Sequence, residues 1–239
     1  MARKKEMCSS ENHEPGAGIV LMKLEELHSF EGHPFKVERN QELFELRCSI
    51  EKEGVLVPLL VRKNPHCDGY EIIAGHRRKE AALWAGFMEV PVIIRELDDD
   101  QSVIAMVDSN LQREKILPSE KAYAYKMRLD AMKRQGFRSD LTSDPVGQKF
   151  SVEQIADNST DSKTQIQRYV RLTNLVPELL EFVDEGRIKM RPAVELSYLD
   201  EDSQRDVVDE IDMNDATPSH DQTIRMRKFF DEGKLTTEA

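Results

Sequence analysis

Long apolar runs are missing from this chain of 239 residues. None approaches the roughly 20 residues that a membrane-spanning helix needs, so no membrane partner is expected. Cysteine is scarce, with three thiols far apart at Cys8, Cys48 and Cys67. No CxxC or HExxH spacing occurs, which excludes a disulfide framework and leaves no pattern for structural zinc. The basic start "MARKKEMCSSENHEPGAG" has no apolar stretch behind it, so a secretory signal is not expected. Reduced thiols and a cytoplasmic location are the matching expectations. Aromatic residues make up only 6%, no internal repeat is visible, and no GxxxxGK[ST] phosphate loop occurs.

What is present is charge: 33% of the residues are charged, and the formal net charge is −11. That total argues against a nucleic-acid partner. The distribution argues otherwise. Eight acidic residues and one Arg205 fall between Asp200 and Asp215, whereas Lys163, Arg168 and Arg171 are the only charges between Ser162 and Leu172. For a helix that enters a groove, local sign matters more than the total.

Along the chain, "VLVPLLVRK", "GYEIIAG" and "VPVIIREL" read as strands, and "GIVLMKLEEL" as a first strand leading into a loop. "NQELFELRCSIEKEG" has helical spacing and a stop at Gly54, and "KEAALWAG" is a short helix ended by Gly86. After Leu97 the pattern is helical. Pro118 and Ser119 mark one helix start, and breaks fall near Thr160, Pro177 and Gly186. The expected organisation has six parts. These are a polar tail over 1–18, a small mixed domain over 19–100, connecting helices over 101–136, a loop over 137–150, a helix-turn-helix domain over 151–199, and an acidic segment with one short helix over 200–239.

Two stretches carry chemistry. In "EIIAGHRRKEAALWAG" a strand ends at Gly75, and His76, Arg77 and Arg78 open a helix. Cations at a helix N-terminus are unfavourable against the dipole unless an anion joins them. Gly75 permits close backbone approach, and the arginines add fork-shaped donors, which suits a di- or triphosphate. A structural turn whose arginines pair with surface carboxylates, such as Asp98 to Asp100, is the other reading. Composition leaves both open.

The second stretch is "SVEQIADNSTDSKTQIQRYVRL". It has the form helix, polar break, helix. Ser151 with Gln154 fits a capping box, and Ser162 fits the cap of the second helix. Ile155, Ala156, Ile166 and Tyr169 or Val170 are expected inside. Lys163, Thr164, Gln165, Gln167 and Arg168 are expected outside, as donors and acceptors for phosphates and base edges. A solvated face on an ordinary helical bundle has the same pattern.

The order of these segments, with "DSNLQREKILPSEKAYAY" between them and "LVPELLEFVDEGRIKMRPAVELSYL" after them, resembles the ParB family of partition proteins over residues ~19–199. The details look most like the members carried on plasmids and conjugative elements. The resemblance implies an α+β chain: a small mixed α/β N-terminal domain of the ParB/sulfiredoxin type, followed by an all-α helix-turn-helix domain. It further implies CTP with Mg²⁺, a centromere-like site on double-stranded DNA, a ligand-promoted homodimer that closes as a clamp, and a ParA-type ATPase. By position, Gly75, His76, Arg77 and Arg78 match the family's phosphate motif. Asn110 and Arg113 match its second motif, where the Asn helps hold the metal through the nucleotide. Ser162, Lys163, Thr164, Gln165, Gln167, Arg168 and Arg171 are the residues expected to face DNA.

Three positions depart from the family. His76 and Ser109 stand where Glu is usual, which counts against CTP hydrolysis because Mg²⁺ prefers carboxylates and a hydrolytic water needs a base. Asp108 is one residue off, and a protonated His76 would be a donor to phosphate. Val57 stands where Gln is frequent. The glycine-cysteine-histidine-arginine turn of sulfiredoxin lacks its Cys here, and a serine kinase on the same fold would leave the helix-turn-helix unexplained. A helix-turn-helix transcription regulator with an inactive nucleotide domain is the alternative. No leucine-rich dimerisation module is legible near the end, so a monomer or weak dimer, tightened by nucleotide and DNA, is expected.

Overall fold

The computed structural model describes residues 18–35, 37–113, 115–134, 152, 155–156, 159 and 161–234. The expected capping box at Ser151 and Gln154, the turn at Thr160, the loop over 137–150 and all but the last residue of the tail lie outside them. The described residues form two compact units, one of 18–31 with 37–97, the other of 32–35 with 98–234.

The first unit is built on a mixed sheet. Its strands are β1 (Ile19–Lys23), β2 (Leu27–Ser29), β3 (Leu59–Lys63), β4 (Tyr70–Ala74) and β5 (Glu89–Ile94), in the order β1-β5-β3-β4-β2. β1 pairs antiparallel with β5 and β3 antiparallel with β4, while β3–β5 and β2–β4 are parallel. Parallel neighbours need crossovers, and helices α1 (Gln41–Glu53) and α2 (His76–Trp84) supply them. Alternation along the strands sends Leu59, Val61, Ile72, Val90 and Val92 to one face, where Leu43 and Ile50 of α1 and Ala81 and Ala82 of α2 complete the core. Asn40 caps α1 through its side chain, which accepts from the Leu43 N–H at 3.0 Å.

Two expectations for this unit are corrected. The strand expected from Val55 begins only at Leu59, and Leu56 and Val57 are 72% and 61% exposed. Pro58 has no N–H to give to a ladder, which stops the strand there. The loop expected after β1 contains a 3₁₀ turn, Leu24–Glu26, and then β2. Three residues are too few to show a period of two.

The second unit is helical among its described residues. Its helices are α3 (Asp99–Leu111), α4 (Pro118–Arg134), α5 (Lys163–Leu172), α6 (Pro177–Asp184), α7 (Met190–Leu196), α8 (Glu201–Asn214) and α9 (His220–Asp231). Asp98 and Gln101 form a capping box at the start of α3. Asp184, at the end of α6, accepts from the Ser119 N–H at 2.9 Å and from the Ser119 hydroxyl, so it caps α4 from 65 residues away. The acidic segment read as surface with one short helix forms two helices. Asp200 caps α8, whose Val207 and Ile211 are buried with Leu179, Leu180 and Leu196. Its carboxylates occupy only the remaining positions. Among the described residues no helix is long and apolar enough to cross a membrane.

One polar pair lies within the sheet of the first unit. Arg62 donates to Glu71 across β3 and β4 at 2.7 Å with both side chains about 6% exposed, and it also donates to the Leu97 carbonyl at 3.3 Å. Breaking a buried pair on one side strands the other charge. Glu71→Ala is expected to destabilise the protein by about 3–5 kcal/mol, whereas Arg62→Met with Glu71→Leu should cost far less. Urea unfolding of the two variants measures this, and equal midpoints would contradict it.

Candidate nucleotide and nucleic-acid sites

The first site grows from the end of β4. Gly75 is the residue before α2 and has φ 110° and ψ 19°, a backbone that side-chain-bearing residues rarely adopt. A Cβ there would stand 2.8 Å from Cγ of Leu59, which is fully buried. Glycine is therefore required by both conformation and space. As a cap it supplies no side-chain acceptor, and its carbonyl takes the Lys79 N–H at 3.0 Å. The preceding N–H groups at the start of α2 form the kind of end that binds anions.

The three residues that follow have different fates. His76, read as a donor to phosphate when protonated, is 7% exposed. Arg77 reaches Glu42 of α1 at 3.1 Å, with the two side chains 30% and 52% exposed. Such a surface pair is worth less than about 1 kcal/mol and exchanges readily for a stronger anion. Arg78 turns the other way. Its Nη1 donates to the carbonyls of Val57 and Pro58, both at 2.6 Å, and burial lowers its pKa. Of the carboxylates considered as partners for these arginines, Asp98 caps α3 and Asp100 binds Arg134 at 2.8 Å. Lys79 donates to the Leu27 carbonyl, and burial lowers its pKa against the opposing pull of Glu80.

Asn110 and Arg113 belong to the second unit. Asn110, in the last turn of α3, is 4% exposed and its Nδ2 donates to the Met106 carbonyl at 2.9 Å. Ser109 Oγ donates to the same carbonyl at 2.8 Å. Asp108 binds the buried Arg128 at 2.8 Å, and its pKa is raised by burial against the opposing effect of that arginine. The Arg113 guanidinium carbon lies 5.5 Å from the Phe35 ring centre. Among the described residues there is no cluster of three His, Cys, Asp or Glu side chains that could hold a metal.

The second site is α5. The Ser162 side chain accepts from the Gln165 N–H at 3.3 Å and so caps the helix. Ile166 is fully buried with Ile155, Val152, Tyr125, Leu129 and Met132, and Tyr169, Val170 and Ala156 pack against that cluster. Leu172 is fully buried in the neighbouring core. Ser162, Thr164 and Gln167 are left exposed, with Lys163, Gln165 and Arg168 half-buried beside them. Arg171 does not join this outer face. Its guanidinium donates to Ser197, to the hydroxyl at 3.2 Å and the carbonyl at 3.0 Å.

The start of α5 is anchored by residues that sequence reasoning did not single out. Asp161 accepts from Lys121 at 2.9 Å and from the Tyr125 hydroxyl at 2.7 Å. Burial, with help from Asp161, raises the Tyr125 pKa, so the phenol remains a proton donor. These partners lie 36 and 40 residues from Asp161, and no local pattern announces them.

Comparison with known proteins agrees with this architecture. The family model "ParB N-terminal domain" matches residues 9–111, and "ParB HTH domain" matches residues 146–221. The chain belongs to the ParB family. It is 35% identical over 173 residues to the chromosome-partitioning protein Spo0J of Thermus thermophilus, covering 72% of this chain and 57% of that one. It is 33% identical over 176 residues to the chromosome-partitioning protein ParB of Myxococcus xanthus, covering 74% and 53%. It thus spans about half the length of the curated ParB relatives it matches. A crystal structure of the C-terminally truncated ParB from Caulobacter crescentus, complexed to the centromeric parS site, shares the fold. That match has a TM-score of 0.52 at 24% identity and covers 92% of this chain and 95% of that one. These relatives are named for chromosomes, so the plasmid type expected from the sequence has no counterpart among them.

Gly75→Ala should destabilise this ParB chain by about 1–3 kcal/mol through the backbone alone, before the clash with Leu59 is added. An unchanged urea midpoint would show that the turn tolerates a side chain.

Proposed function

We propose that this chain is a partition protein that binds a centromere-like site on double-stranded DNA through α5 and takes up CTP at the Gly75 turn. The observation that carries the reading is the division of α5. Its apolar stripe at Ile166 and Leu172 is fully buried, and its outer residues are Ser162, Lys163, Thr164, Gln165, Gln167 and Arg168. A helix held from behind with hydroxyl, amide and cationic groups in front is what major-groove readout uses. At the turn, the helix start and Arg77 suit the phosphates, and Arg78 holds the Val57 and Pro58 carbonyls in place beside it. Asn110 and Arg113 are proposed nucleotide residues by their place in the family motif. The protein donors fit Mg²⁺ only as an ion brought in by phosphate, because Asp108 is paired with Arg128 and Asn110 supplies an amide instead of a carboxylate. Closure of two copies as a clamp and engagement of a ParA-type ATPase belong to the same proposal, as does action on a chromosome or a plasmid.

Binding without turnover is the form of the proposal that His76 and Ser109 favour, since neither supplies the missing carboxylate. A transcription regulator with an inactive nucleotide domain is the second reading. The buried His76 and the commitment of Arg78 to backbone carbonyls favour it.

Calorimetric titration with CTP and then ATP, in the presence of Mg²⁺, separates the two. CTP binding that Arg77→Ala abolishes supports the nucleotide-bound protein, and no binding even with DNA present supports the regulator. Arg168→Ala should weaken DNA binding and reduce the salt slope by about one, while CTP affinity stays unchanged. Equal loss of both ligands would remove the division into two sites.

A further inference from the structure

Arg171 is the last residue but one of α5, and its partners Ser197 and Tyr198 lie in its own unit. Besides its two bonds to Ser197, its guanidinium carbon lies 3.8 Å from the centre of the Tyr198 ring. The same ring receives Arg227 of α9 at 3.5 Å, and Arg227 is held by Glu195 of α7 at 3.0 Å. Ser197 Oγ in turn donates to the Val194 carbonyl at 2.7 Å. The end of α5 is thereby fixed to the end of α7 by a planar fork on two oxygens and by stacking on an aromatic face. Guanidinium makes both contacts at once, and an ammonium does not. The start of α5 is held separately, by Lys121 and Tyr125 on Asp161.

We infer that Arg171 and Tyr198 are positioning residues for DNA readout: they touch no DNA and set the angle at which α5 presents Thr164, Gln167 and Arg168. The inference rests on the reading of α5 as the helix that enters the groove. Base readout tolerates misplacement of only about 0.5 Å or 10–20°. Phosphate attraction is long-range and tolerant. Loosening one end of α5 therefore removes discrimination between sequences and leaves general attraction intact. Arg171 also contributes no counterion release, because its charge stays on the protein side.

The test uses the full chain. Wild-type protein first enriches duplexes from a random-sequence library, and affinity for the most enriched duplex and for its scrambled version is then measured across a salt series. Tyr198→Ala and Arg171→Lys are expected to lose about tenfold or more on the enriched duplex, the size of one lost base contact, with scrambled affinity and salt slope as in wild type. Tyr198→Phe, which keeps the ring, is expected to bind as wild type. Arg171→Lys decides against a phosphate contact, because lysine keeps the charge. Wild-type affinity in Arg171→Lys, with a salt slope reduced by about one in Arg171→Ala, would overturn the inference and return Arg171 to the DNA. Unchanged discrimination in a folded Tyr198→Ala would overturn it too. A library from which wild type enriches nothing overturns the DNA-reading assignment of α5 itself, a different failure from the other two.

Discussion

A glycine packed against a leucine governs the first unit. β4 must end and α2 must begin within a single residue, because Ala74 still pairs in the sheet and His76 is already helical. That reversal needs the positive φ of Gly75, and the core needs Leu59 directly beneath it. Moving the turn outward to make room would lift α2 from the sheet and expose Ala81 and Ala82, both fully buried. The suitability of the turn for the anion proposed there follows from this packing constraint. A cap without a side chain leaves the first N–H groups of the helix to other acceptors, so the residue that solves the packing problem also opens the helix end at which nucleotide binding is proposed.

The same constraint separates two adjacent arginines. Successive positions on a helix point about 100° apart. Arg77 therefore reaches across the surface to Glu42, and Arg78 reaches back under the turn to the carbonyls of Val57 and Pro58. Those carbonyls are available because Pro58 has already interrupted the approach to β3. The unfavourable meeting of two cations with a helix N-terminus is thus half relieved inside the protein. Only Arg77 remains in a weak pair that a phosphate would displace.

Legibility in the sequence followed the range of the interactions. β3, β4 and β5 were readable from runs such as Tyr70–Ala74, because buried strands declare themselves locally. The cap at Ser162 was readable for the same reason, whereas the capping box at Asp98 was read only as acidic residues at a helix start. β2 was not, since it exists only by pairing with β4 some 43 residues away. The acidic stretch from Asp200 hid a packed helix, because four apolar residues, Val207, Val208, Ile211 and Met213, scattered among eight acidic ones do not suggest a core. At the candidate sites residue type was legible and orientation was not. Arg171 looked like its neighbour Arg168, and only Ser197 and Tyr198, which are 26 and 27 residues on, determine that it turns inward.

The excess of negative charge also finds its place at this level. A net charge of −11 would repel a polyanion if it were spread evenly. Much of it is confined to α8, whose apolar positions face the core and whose carboxylates face water. At physiological ionic strength such charges act over about 8 Å, so α5 is governed by its own residues more than by the total. Those residues are cationic or neutral, and the single acidic group at its start, Asp161, is neutralised by Lys121. An acidic chain can in this way keep one helix fit for the DNA reading proposed for it, and both ends of that helix are held by contacts within its own unit.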